Sequence, residues 1–114
     1  MAKDIFHDME YTNLKENISF EQIYCTLQQY FNKLQVQYSV KTLGVFGSYA
    51  KGKATENSDL DVLVEFDEEL TFRNYMDLKF FLEDLFNLKV DLVLEEDLKP
   101  QIKKQILKET VYVS

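Results

Sequence analysis

Asp59 and Asp61 stand two residues apart in the segment Ser58-Asp59-Leu60-Asp61-Val62-Leu63-Val64. In an extended backbone, residues two apart point the same way, and at about 3.3 Å rise per residue their side chains start roughly 6–7 Å apart. That gap suits two carboxylates converging on metal ions, because paired catalytic metals lie about 3.5–4 Å apart. Without a cation the like charges repel, and at least one of the two pKa values rises. Asp91, at the matching phase of Val90-Asp91-Leu92-Val93, supplies a third carboxylate if the two strands are neighbours. An all-oxygen donor set favours Mg²⁺ or Mn²⁺ over zinc. A single histidine, His7, argues against a His-rich zinc site.

Ahead of the acidic pair stands Gly47-Ser48, at the end of a strand-like run and the start of a helical turn. A glycine there lets backbone N–H groups approach an anion, and the serine hydroxyl adds a donor. All three glycines, Gly44, Gly47 and Gly52, fall within this one short stretch, so the backbone freedom of the chain is concentrated where close approach is needed. The same stretch carries Lys41, Lys51 and Lys53 without an acid, whereas residues 54–97 are strongly acidic. Lys51 and Lys53 serve equally as exposed lysines or as phosphate-steering charges. Ser58 fits a turn as well as a ligand contact. The whole reads as a polyphosphate cradle facing a carboxylate cluster, an arrangement suited to phosphoryl or nucleotidyl transfer.

Such groups work only if a small scaffold holds them. Ser19 followed by Gln22 predicts a capping box, and Phe20, Ile23, Tyr24, Leu27, Tyr30, Phe31 and Leu34 then repeat at helical spacing. Val40 to Phe46 reads as a strand, followed by a glycine-bounded turn with a short helical piece near Tyr49–Lys51 and a loop over Ala54–Ser58. Asp59 to Phe66 alternates, with Leu60, Val62, Val64 and Phe66 on one face and Asp59, Asp61, Leu63 and Glu65 on the other. Thr71 through Asn87 predicts a second amphipathic helix, and Lys89 to Glu95 a further strand. Pro100 suits the first turn of a last helix, which leads into Val111-Tyr112-Val113 as an edge strand. The expected fold class is α/β in the α+β sense: one small mixed sheet with helices packed on one face.

Composition sets the outer bounds. A length of 114 residues predicts a single domain over 1–114, with residues 1–17, polar and weakly periodic, as a loose N-terminal arm. Hydrophobic residues at 46% and charged residues at 29% describe a folded chain rather than a disordered one. The net charge of −7 weighs against direct nucleic-acid binding. The lone Cys25 cannot close an internal disulfide, which makes the cytoplasm the expected compartment. The start of the chain lacks the apolar run of a signal peptide, and no segment reaches membrane-spanning length.

The pattern Gly47-Ser48, ten residues, then Asp59-Leu60-Asp61 resembles the signature of the DNA polymerase β-like nucleotidyltransferase superfamily. Phe46 to Gly52, Ser58 to Val64, Val90-Asp91-Leu92-Val93 and the ending Ile106 to Val113 look like its minimal nucleotidyltransferases, so the resemblance covers about residues 40–113. It implies a polymerase β palm-like fold. It implies that Asp59 and Asp61 hold two Mg²⁺ ions, with Mn²⁺ as a possible substitute, and that Asp91 joins the second ion and helps deprotonate the nucleophile. Gly47 and Ser48 would bind the β- and γ-phosphates of ATP or another nucleoside triphosphate. Lys51 stands where such proteins often carry arginine; it keeps the charge but loses the bidentate fork. Many relatives are antitoxins of two-gene toxin–antitoxin pairs, which implies a helical HEPN-type partner receiving AMP on a tyrosine. A small-molecule enzyme with an aminoglycoside-like acceptor and a non-catalytic nucleotide-binding module are the alternatives, and an oligomer is left open.

Overall fold

In the computed structural model, which describes residues 18–69 and 71–114, the capping signal at Ser19 operates as expected. The Ser19 hydroxyl accepts from the Gln22 N–H at 3.2 Å, and the Gln22 side chain accepts from the Ser19 N–H at 2.8 Å. Helix α1 (Phe20–Tyr38) follows, with Ile23, Leu27 and Leu34 fully buried along the apolar stripe. It ends at Ser39, whose left-handed backbone (φ +58°) turns its N–H back onto the Leu34 carbonyl. The expectation for residues 1–17 lies outside the described residues.

Strand β1 (Val40–Phe46) leads without a loop into the single turn α2 (Gly47–Ala50). The helical piece thus begins two residues earlier than the sequence suggests, because Gly47, at φ +73°, reverses the chain directly at the strand end. Strand β2 (Leu60–Phe66) feeds α3 (Phe72–Phe86), which Thr71 caps by accepting from the Asn74 N–H at 3.1 Å and Asn87 closes in the left-handed region. Strand β3 (Val90–Leu94), a 3₁₀ turn over Glu95–Asp97, α4 (Pro100–Glu109) and β4 (Val111–Val113) complete the chain. Pro100 opens α4, where its missing N–H has no intrahelical partner to lose.

The four strands form one sheet in the order β3-β2-β1-β4. β1 runs antiparallel to both its neighbours, whereas β2 and β3 are parallel, the pair that requires a crossover helix and receives α3. Helices α1 and α3 pack on the sheet and on each other, with Phe81 of α3 seated against Tyr30 and Tyr38 of α1 at ring-centroid distances of 5.8 and 5.4 Å. Between sheet and helices lies the core, in which Leu43, Val45, Leu60, Val62, Leu78 and Leu82 are completely buried. Each such side chain contributes about 1.5–3 kcal/mol through loss of apolar contact with water. The expected mixed sheet, the helix-covered face and the β4 edge strand are all present. Among the described residues no helix is long and apolar enough to cross a membrane.

The opposite face of the sheet carries the acidic alternation of β2. Leu63, in phase with Asp61 and Glu65, is nonetheless only 1% exposed. Its β1 partner is Gly44, where a Cβ would collide with the Thr110 methyl at the end of α4. That glycine permits the C-terminal segment to close against β1, so part of this face is covered while the Asp61 end is left accessible.

Candidate active site

The sheet register brings two of the three aspartates side by side. In the parallel β2–β3 pair Asp61 is the direct partner of Asp91, and in the antiparallel β1–β2 pair it stands opposite Phe46, the last residue before Gly47. Partnered residues project to the same face, so the carboxylates of Asp61 and Asp91 meet. Asp91 acts on Asp61 both through its charge and through a side-chain hydrogen bond. Asp59 precedes β2 rather than belonging to it, and is exposed, but its charge is felt at Asp61. The Asp61 carboxyl is pushed up from 3.8 to about 6, first by burial, then by the negative charges of Asp91 and Asp59, and by the hydrogen bond with Asp91.

Gly47 bounds the other side of the pair. A Cβ there would strike Oδ2 of Asp61, and the positive φ of Gly47 would strain any other residue. The glycine therefore does two things at once: it turns β1 into α2 and leaves room for a carboxylate. Ser48 follows in the same turn, half-buried, with its carbonyl accepting from the Lys53 N–H at 2.9 Å.

The remaining sequence candidates are placed differently. The Ser58 hydroxyl accepts from the Thr55 N–H at 2.8 Å, and the Ser58 N–H donates to the Thr55 carbonyl at 3.0 Å, so Ser58 closes the turn leading into Asp59. Lys51 pairs with Glu109 of α4 at 3.4 Å. Two residues near the aspartates went unmarked as site residues in the sequence. The Tyr75 hydroxyl donates to the Leu92 carbonyl at 2.5 Å, and the Glu83 carboxylate accepts from the Val90 N–H at 3.1 Å. Both come from α3 and grip β3 on either side of Asp91. Helical periodicity counts Tyr75 as an apolar-stripe residue and Glu83 as a surface acid, and no spacing rule marks either as a strand contact. A cavity of ≈ 380 Å³ lined by Phe72, Tyr75, Leu92, Val93, Leu94 and Asp97 opens beyond this grip and includes none of the three aspartates.

Among the described residues no three side chains are gathered into a ready-made metal cage. The donor chemistry nevertheless fits a hard divalent cation. The carboxylate of Asp61 is disfavoured first by burial and then by the negative charges of Asp91 and Asp59, a penalty that a bound cation would offset.

Residues 27–113 match the family model of the nucleotidyltransferase domain. This chain belongs to the nucleotidyltransferase family. The nucleotidyltransferase is 41% identical over 96 residues to the protein adenylyltransferase MntA of Thermococcus cleftensis, an alignment covering 84% of this chain and 97% of that protein. A solved structure provisionally described as a minimal nucleotidyltransferase superposes with a TM-score of 0.73 at 34% identity, covering 84% of this chain and 97% of that one. The fold is also shared, at a TM-score of 0.56 and 19% identity, by a chain from the complex of a tri-AMPylated Shewanella oneidensis HEPN toxin with its MNT antitoxin, with 78% of this chain and 70% of that chain covered.

Proposed function

We propose that this nucleotidyltransferase transfers AMP from ATP to a tyrosine of a helical HEPN-type partner and acts as the antitoxin of a two-gene pair. The observation that carries this reading is the Asp61–Asp91 register pair, with Asp59 acting on it and Gly47 packed against it. The similarity to a protein adenylyltransferase over nearly the full length of that relative supports a protein acceptor over a small molecule. The shared fold with the MNT antitoxin supports the HEPN-type partner.

In this reading Asp59, Asp61 and Asp91 hold divalent cations, Mg²⁺ in the first instance. Held there, such ions would supply charge neutralisation for the triphosphate and would lower the pKa of the attacking hydroxyl. Asp91 takes the phenolic proton of the acceptor tyrosine. The phenolate oxygen then bonds to the α-phosphorus as the bond to the β-phosphate oxygen breaks, so AMP is transferred and pyrophosphate leaves. Gly47 and Ser48 receive the β- and γ-phosphates on their backbone N–H groups and the serine hydroxyl. Lys51 adds positive charge at the edge of this cradle, and Ser58 holds the turn that presents Asp59. Charge placement carries most of the catalysis in such chemistry.

The test is label transfer in the presence of Mg²⁺, comparing ATP labelled at the α-phosphate with ATP labelled at the γ-phosphate, and using a lysate of the source cells as acceptor. The expected result is protein-bound label from the α position only, absent with Asp59→Asn/Asp61→Asn. Label from the γ position would mean a kinase. Pyrophosphate release without protein label would point to a small-molecule acceptor, and neither signal to a binding module.

A further inference from the structure

Among the described residues, strand β3 lies at the edge of the sheet, bonded to β2 on one side only. The Leu60 N–H donates to the Lys89 carbonyl at 2.9 Å, so the main-chain groups of Lys89 and Asp91 face β2. Because these groups alternate along a strand, those of Val90 and Leu92 face outward. An edge strand held on one side is free to shift or fray, and its unpaired groups invite other partners. Here the outward N–H of Val90 is taken by Glu83 and the outward carbonyl of Leu92 by Tyr75. The two α3 residues flank Asp91 from both directions along the strand. Both hydrogen bonds are partly buried, which makes them worth more than exposed ones.

We propose that Tyr75 and Glu83 are positioning residues that clamp the outer edge of β3 and thereby hold the Asp91 carboxylate against Asp61. The inference rests on the reading of Asp91 as a metal-holding and proton-accepting group. Without the clamp the Asp61–Asp91 register rests on the β2 ladder and on the burial of Val90 and Leu92. The roles of the two side chains differ in a testable way. Tyr75 acts as a hydrogen-bond donor, which phenylalanine cannot replace. Glu83 acts as an acceptor, which the glutamine carbonyl can replace but alanine cannot.

The experiment uses the full chain and Mn²⁺ as the probe, with binding measured by electron paramagnetic resonance for wild type, Tyr75→Phe, Glu83→Ala, Glu83→Gln and Asp91→Asn, each checked for folding by circular dichroism. Tyr75→Phe and Glu83→Ala are expected to weaken Mn²⁺ binding about tenfold, within the 10–100-fold range of groups that orient a metal ligand. Glu83→Gln is expected to bind within about twofold of wild type, because hydrogen-bond acceptance and not charge is what β3 requires. In the AMP-transfer assay the same two variants lose kcat by a similar factor while KM for ATP is unchanged. Wild-type Mn²⁺ affinity in both Tyr75→Phe and Glu83→Ala, with Asp91→Asn weakened, would overturn the clamp while sparing the site. Glu83→Gln behaving as Glu83→Ala would overturn the positioning role in favour of a charge effect. Wild-type affinity in Asp91→Asn would overturn the reading of Asp91 itself and the clamp with it.

Discussion

Asp61 and Asp91 face each other as register partners across the only parallel strand pair among the described residues, with a side-chain hydrogen bond from Asp91 acting on Asp61. The two residues are thirty positions apart in sequence, and α3 fills most of the interval between them. A one-residue slip of β3 against β2 would send Asp91 to the helix-covered face and destroy the pair. The buried Leu92 and Val90 oppose such a slip, since it would bring apolar side chains out of the core.

Removing either carboxylate is expected to leave the fold intact and to impair AMP transfer. Asp61→Asn and Asp91→Asn are expected to lower AMP transfer at least about 100-fold, the scale on which single groups aimed at developing charge act. Initial rates of α-label transfer, with circular dichroism to verify folding, check this. A rate within threefold of wild type for either variant contradicts the assignment.

With divalent ions chelated, Asp61 makes stability depend on pH in the opposite sense to an ion-paired carboxylate. Its pKa of about 6 in the folded state, against 3.8 for the ordinary side chain, means that the native protein holds more protons than the unfolded chain between those values. Stability through this group therefore falls as pH rises from about 4 to 6, and the penalty is complete above that window. A shift of about two units corresponds to ~3 kcal/mol in full, which solvent screening of this partly exposed group reduces to about 1 kcal/mol. Urea unfolding of Asp61→Asn should thus show a gain of about 1 kcal/mol over wild type at pH 7 and no gain near pH 4. Equal differences at both pH values would show that the charge conflict is absent.

Gly47 is constrained twice, by its left-handed backbone and by the carboxylate beside it. Gly47→Ala should cost about 1–2 kcal/mol from the backbone alone, and should lower transfer about 100-fold by displacing Asp61. Denaturation midpoints and transfer rates, measured on the same preparation, separate the two effects. Retention of full activity would show that the methyl group is accommodated without moving the aspartate.

The Lys51–Glu109 pair tests whether Lys51 serves the nucleotide or the fold. Hydrogen bonding to Gln105 and the nearby Lys51 hold the Glu109 carboxyl below its usual range, with burial opposing. Exposed pairs of this kind contribute little to stability, so Lys51→Ala and Glu109→Gln should leave the melting temperature almost unchanged. Lys51→Ala is expected to raise KM for ATP severalfold, and Glu109→Gln to leave it equal or lower because the lysine is released toward the phosphates. An unchanged KM in Lys51→Ala would restrict Lys51 to the ion pair.

What the linear chain determined was local. The Ser19–Gln22 capping box, the helical stripe from Phe20 to Leu34, the alternation of β2 and the proline at the start of α4 all act over a few residues, where spacing and steric rules decide conformation directly. The Gly47-Ser48 and Asp59-Leu60-Asp61 motifs were legible for the same reason, and so was the phase of Asp91 within its own strand. Only the tertiary structure decided that β3 lies parallel beside β2 in the register that pairs Asp91 with Asp61, that Lys51 meets Glu109, and that Tyr75 and Glu83 reach around the sheet edge to grip β3. Those relationships join residues far apart in the chain. They are selected by which apolar faces can be buried together and which main-chain groups remain to be satisfied, and neither condition exists until the sheet and helices are assembled.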